Sequence, residues 1–117
     1  MFEFLVISAG SILGTLIRLK IKNIFLVNIL GCFIFGLINN LNVSKKIKLF
    51  FCFSFCGSIT TFSGWILDLY NILNKGLYFI FFLRVSVFIG IGYFAMYSGY
   101  SISESINKLK NRKNVKT

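Results

Sequence analysis

GSITTFSGW, Gly57 to Trp65, lies inside an apolar run that extends from Leu49 to Leu73. A helix in continuous contact with hydrocarbon would carry Leu and Val here, yet two glycines, two threonines and two serines fill six of the nine places. Such residues free φ and ψ and supply hydroxyl donors, and irregular backbone at membrane depth survives only where protein or a cavity surrounds it. The stretch predicts a membrane helix that is broken near the bilayer midplane and sheltered by the rest of the chain.

The composition supports a membrane setting. The 117 residues are 56% hydrophobic and 14% charged, whereas about a quarter of a soluble domain is charged. The expected fold is an all-α membrane protein with one four-helix transmembrane domain over residues 1–107. Its spans are placed at about 2–19, 23–41, 49–73 and 78–101, the fourth starting anywhere from Leu77 to Val85 because Arg84 reads either as a snorkelling charge or as its edge. A basic polar tail, 108–117, follows and frays beyond Ser101 to Ser105. Four short spans cannot enclose a path for a solute alone, so self-association or a partner is expected. The first segment lacks a basic leader and a small-residue cleavage site, and reads as a retained span rather than a signal peptide.

The net charge of +10 comes from 13 Lys and Arg against 3 Asp and Glu. The cations cluster at span ends and between Lys108 and Lys116, where they meet membrane lipid headgroups; nucleic acid is not an expected partner. Counting by side for four spans places eight with the termini (Lys45, Lys46, Lys48, Lys108, Lys110, Arg112, Lys113, Lys116) and five opposite (Arg18, Lys20, Lys22, Lys75, Arg84). Without the tail the bias reverses to three against five, so the orientation signal is weak, as for a protein that inserts both ways and pairs antiparallel. Cys32, Cys52 and Cys56 all fall in apolar runs, His is absent and no C-x-x-C pair occurs. Neither a zinc site nor a disulfide framework is indicated, and no constellation of catalytic residues is visible; the chain is not expected to be an enzyme.

Within the first span, Gly10, Gly14 and Arg18 share a helix face. The glycines read as a close-packing pair, while Arg18 is either a snorkelling end charge or a cation at a cavity mouth. Asn28 is the one polar side chain well inside the second apolar run, and it either makes an interhelical hydrogen bond or offers an amide N–H to an anion. Asn39, Asn40 and Asn42 read as cap or loop residues. Asp68 follows the broken stretch and needs water or a partner such as Lys75. Ser86, Gly90 and Phe94 share one face of the fourth span, and Ala95 with Gly99 forms a second small pair.

Gly14-x-x-x-Arg18, Val27-Asn28-x-x-Gly31-x-Phe33 and Gly57-x-x-Thr60-Thr61-Phe62-Ser63, taken together along nearly the whole chain, resemble the CrcB/Fluc family of fluoride channels, small four-span proteins that work as antiparallel dual-topology dimers. The resemblance implies a fluoride-selective channel in the bacterial inner membrane that passively exports fluoride from the cytoplasm and confers resistance to it. It also implies an ion path through Asn28, Phe62, Ser63 and Trp65, with Arg18 a further candidate at its mouth. A dehydrated fluoride ion requires hydrogen-bond donors and weakly positive surfaces, which an amide, a hydroxyl and an aromatic ring edge provide. Gly57 and Thr60 match positions whose backbone carbonyls, two from each subunit, hold a structural sodium ion at the dimer centre.

The chain departs from that pattern at three places. Trp65 stands where a second Phe is usual, Gly64 where Thr is usual, and Asp68 where Glu is usual. The polar track of the fourth span reduces to Tyr78 and Ser86, with Phe82 where another hydroxyl would stand. These losses raise the expectation of a heterodimer with a related subunit as the alternative to a homodimer. Two other functions share the same gross plan: a small proton-coupled multidrug exporter, for which only Glu3 and Asp68 are available as membrane carboxylates, and a non-conducting accessory subunit.

Overall fold

A computed structural model describes residues 1–116, and these are helical with no strand among them. Helix α1 spans Phe2–Lys20 and α2 spans Ile24–Asn40, with the Asn23 side chain accepting from the Leu26 N–H at 3.2 Å as the N-cap of α2. The short α3, Lys45–Lys48, is capped by Ser44 and runs into a π-helical segment, Leu49–Phe55, and then into α4, Cys56–Ile59. Thr60 and Thr61 are extended, and α5, Phe62–Asn74, resumes the helix. The last helix, α6, covers Tyr78–Val115.

Phe2–Lys20, Lys45–Asn74 and Tyr78–Val115 are each long and apolar enough to cross a membrane, and Ile24–Asn40 is a shorter apolar helix. The outer surface is apolar to match: Phe4 is 71%, Phe53 72% and Phe79 80% exposed, a cost in water and none in lipid. The core is accordingly small. Val27, Phe55, Cys56 and Ile59 form its buried centre, with Ile17, Ile34 and Phe35 packed around them.

Glycines set the helix spacing. A Cβ at Gly10 would stand 2.8 Å from the Phe50 carbonyl oxygen, and one at Gly14 would stand 2.7 Å from that of Phe55. The expected small-residue face of α1 therefore packs on the π-helical segment and α4. That segment is tied to α1 by Ser54, whose hydroxyl bonds to the Ile7 carbonyl and lies 3.0 Å from the Ser11 hydroxyl. At its end the Cys56 N–H reaches back to the Phe51 carbonyl, the wide spacing of a π turn. On the other side, a Cβ at Gly36 would overlap the Met96 carbonyl, and one at Gly99 would overlap that of Phe33, so α2 and α6 touch backbone to backbone.

The end of the chain corrects the sequence reading. The last helix begins at Tyr78, and it does not fray at Ser101 to Ser105 but continues to Val115; Thr117, the last residue of the expected tail, lies outside the described residues. Polar anchors explain the extension. Asn40 Nδ2 donates to Ser103 Oγ at 3.0 Å, Asn107 Nδ2 donates to the Asn40 carbonyl at 2.8 Å, and Asn107 Oδ1 accepts from the Asn42 N–H at 3.4 Å. Ser103 is fully buried, Glu104 pairs with Lys108 at 3.2 Å one turn on, and no Gly or Pro interrupts the sequence after Ser101. Asn40 and Asn42 thus clasp a neighbouring helix rather than only capping their own.

Candidate functional site at a helix interruption

Ending α4 at Ile59 strips two peptide groups of their helical partners, and the residues nearby replace them. The Thr61 N–H donates to Asn28 Oδ1 at 2.8 Å, and Asn28 Nδ2 donates to the Thr61 carbonyl at 3.2 Å. One carboxamide therefore reads both sides of one residue's backbone. Asn28 is 8% exposed, and its amide has a second N–H beyond the one given to Thr61. The interhelical bond and the free-donor reading of Asn28 are compatible in this geometry. Thr61 Oγ1 accepts from the Gly64 N–H at 3.3 Å and so caps α5, while Thr60 Oγ1 donates back to the Cys56 carbonyl at 2.8 Å.

Asn28, Thr60, Thr61, Phe62 and Trp65 line one open groove of about 490 Å³, closed on its far side by Phe88, Tyr93 and Met96 of α6. Phe62 is 72% exposed and meets Trp65 edge to face, with ring centroids 5.8 Å apart. Trp65 stacks on Phe88 at 4.6 Å and 15°, and Phe88 meets Phe25 of α2 edge to face at 5.6 Å. A string of four rings thus joins α2, α6 and α5. Gly64 has a packing role: a Cβ there would come within 2.9 Å of Ile24 Cδ1, so its small size brings α5 against the start of α2.

The remaining predicted residues divide. Ser63 is exposed, with its hydroxyl 3.4 Å from Thr61 Oγ1, beside the groove but outside its lining. Arg18 occupies the last turn of α1, partly buried, and does not line the groove; among the described residues it makes no ion pair or hydrogen bond. Tyr78, Phe82 and Ser86 are exposed on α6 and lie outside the groove, whose α6 side is formed by later residues.

Gly57 is exposed, and a Cβ there would meet nothing within 4 Å. Because the Thr61 N–H is taken by Asn28, the Gly57 carbonyl has lost the donor that a continuous helix would supply. Gly57 and Thr60 line a second open groove of about 280 Å³ with Gly31, Phe35 and Cys32. Its donor set suits a hard monovalent cation only in part: one chain contributes main-chain oxygens and, among the described residues, no cluster of three His, Cys, Asp or Glu side chains. The remaining oxygens would have to come from a second subunit.

Sequence reasoning missed Phe88, Phe25 and the meeting of Asp68 with Arg84 in one cavity. Asp68 does not pair with Lys75; it lines a cavity of about 360 Å³ together with Arg84, Trp65 and Phe88. Their proximity follows from α5 folding back as α6 at Gly76, whose φ of 72° closes the turn. Equal distances from that turn are the signal that would have found them.

Comparison with known proteins identifies the family. A family model described as CrcB-like protein, Camphor Resistance (CrcB), matches residues 5–100. A Fluoride-specific ion channel FluC 1 of Prochlorococcus marinus (strain NATL2A) is 42% identical over 104 residues, covering 89% of this chain and 91% of the relative. A FluC 1 from another strain of the same species is 42% identical over 78 residues, 67% of this chain and 63% of the relative. A Fluoride-specific ion channel FluC 2 of strain MIT 9313 is 30% identical over 90 residues, 77% of this chain and 73% of the relative. With its apolar helices, the matched span and the groove built on the Gly57 to Trp65 stretch, this multi-pass membrane protein belongs to the CrcB family.

Proposed function

We propose that the chain is a subunit of a fluoride-selective channel that passively exports fluoride from the cytoplasm of a bacterium across its inner membrane. The observation that carries the reading is the groove in which the Asn28 amide, the exposed Phe62 ring and Trp65 converge on the interrupted helix. Fluoride gives up its water only for replacement donors, and a fixed amide N–H with an electropositive ring edge supplies these without a full positive charge that would trap the ion. Ser63 adds a hydroxyl at the edge. Arg18 is assigned no direct contact with the ion; its charge attracts anions toward the bundle.

The working unit in this reading is an antiparallel dimer with both orientations in the membrane and the interruption near the bilayer midplane. The open groove at Gly57 and Thr60 is then covered by the second subunit, and two pairs of main-chain oxygens hold a structural, non-transported sodium ion. The chain's own part is to present those oxygens at a surface with no side chain in the way. The second subunit is this chain or a related one. Relatives named FluC 1 and FluC 2 occur, and the exposed Phe82 leaves a hydroxyl for a related partner to supply.

Weak-acid HF crosses membranes and dissociates inside, and an interior-negative potential drives the trapped anion out through such a channel. Lower internal fluoride and resistance to it follow. A proton-coupled exporter has less support: Glu3 is exposed and paired with Lys45 at 3.6 Å, and Asp68 is exposed. Expression in a bacterium lacking its own fluoride exporter tests the role. Growth in fluoride is expected to return with the wild-type chain, alone or with a related second chain, and not with Phe62→Ile; no rescue under either condition overturns the proposal.

A further inference from the structure

The cavity shared by Asp68 and Arg84 has no part in the groove just described, yet it is built against it. Trp65 and Phe88 line both spaces, and their rings are stacked at 4.6 Å and 15°, so this pair is a common wall. Phe25 braces Phe88 edge to face from α2. The cavity is otherwise apolar, with Ile24, Leu69, Leu83 and Val87 around its two charges. Among the described residues Asp68 and Arg84 form no ion pair with each other or with any other group.

We propose that this cavity is an anion-receiving chamber, with Arg84 as the receiving charge and the Trp65–Phe88 pair as the partition between the chamber and the Asn28–Phe62 groove. The proposal deepens the channel reading and rests on it. Arg84 and Asp68 are both exposed, so the unpaired guanidinium is open to an arriving anion beside largely apolar walls. Asp68 opposes this. Its carboxylate shares the space without touching the guanidinium, so it offsets the positive field and an arriving anion competes with it for Arg84. A site that weakens its own grip in this way admits an ion without retaining it. The stacked rings stand between the two spaces, so loosening the stack changes access from one to the other.

Two charges of opposite sign in one chamber give predictions of opposite sign. Trp65 is the only tryptophan in the chain and lies in the chamber wall, so its fluorescence reports which solutes enter. The purified full-length protein in phosphatidylcholine liposomes would be quenched with iodide, an anion, and with neutral acrylamide, at constant ionic strength. Arg84→Gln is expected to lower the iodide quenching slope about twofold or more while leaving acrylamide quenching unchanged, Arg84→Lys to retain most of it, and Asp68→Asn to raise it. Phe88→Leu, which removes the ring stacked on Trp65, is expected to raise both slopes. Equal iodide slopes in wild type, Arg84→Gln and Asp68→Asn would overturn the proposal, as would parallel changes with acrylamide in the two charge variants. The readout needs no fluoride transport; fluoride efflux from the same wild-type liposomes separates failure of the chamber from failure of the channel.

Discussion

At the residue scale, the Asn28–Thr61 exchange is the contact on which the site depends. Each of its two bonds satisfies a part-buried peptide group, and leaving one unsatisfied costs up to about 1–3 kcal/mol, the figure for full burial. Asn28→Leu would orphan both the N–H and the carbonyl of Thr61, so a large loss of thermal stability in detergent is expected. Asn28→Asp keeps the acceptor for the Thr61 N–H but sets a carboxylate oxygen against the Thr61 carbonyl, and it replaces the spare donor with negative charge. It should therefore keep more stability than Asn28→Leu while abolishing fluoride flux. Phe62→Ile should be nearly neutral in stability, because the ring is mostly exposed, and should still suppress flux; retained flux in both would remove these residues from the path. Asn28 and Phe62 were legible because a polar side chain within an apolar run and a motif around one Phe both stand out. Phe88 was not legible, since its role arises from a stack with Trp65 that only the turn at Gly76 brings about.

At the element scale, the fold rests on close helix contacts more than on a large apolar core. Gly36 against Met96 and Gly99 against Phe33 leave no room for a side chain, so Gly36→Leu should separate α2 from α6 and cost several kcal/mol; wild-type stability of that variant, measured by thermal unfolding in detergent, would contradict the packing. The turn between α5 and α6 is a milder test. The Gly76 N–H bonds to the Leu73 carbonyl at 2.9 Å and the Leu77 N–H to that of Ile72 at 3.3 Å, the pattern that ends a helix with a left-handed glycine. Gly76→Ala is expected to cost about 1 kcal/mol in the same measurement through backbone strain alone. The number of helical segments and the pairing of Gly10 with Gly14 were readable from residue type and spacing, whereas the start of the fourth span was not, because Arg84 reads equally as a snorkelling charge within the span or as its edge. The continuation of α6 to Val115 was not, because its polar residues read as solvent-seeking until Asn40, Ser103 and Asn107 are seen to satisfy one another.

For the whole molecule, α6 is the outlying feature. Thirty-eight residues at about 1.5 Å each exceed a hydrocarbon thickness of roughly 30 Å, so its basic end projects beyond the bilayer on the side of the termini. That end brings Lys108, Lys110, Arg112 and Lys113 to the level of the lipid headgroups and beyond. The grooves at Asn28 and at Gly57 are both open in the single chain, which is the physical reason a second subunit enters the account. Membrane residence was legible from composition, whereas the completion of each groove depends on surfaces that a single sequence does not bring together. The most direct test is efflux from liposomes containing the purified chain, alone or with a related second chain, following fluoride and chloride with sodium present and absent. Fluoride release well above protein-free liposomes, chloride retained and release lost without sodium is the predicted result; fluoride release no faster than from protein-free liposomes, with either subunit composition, would contradict the account.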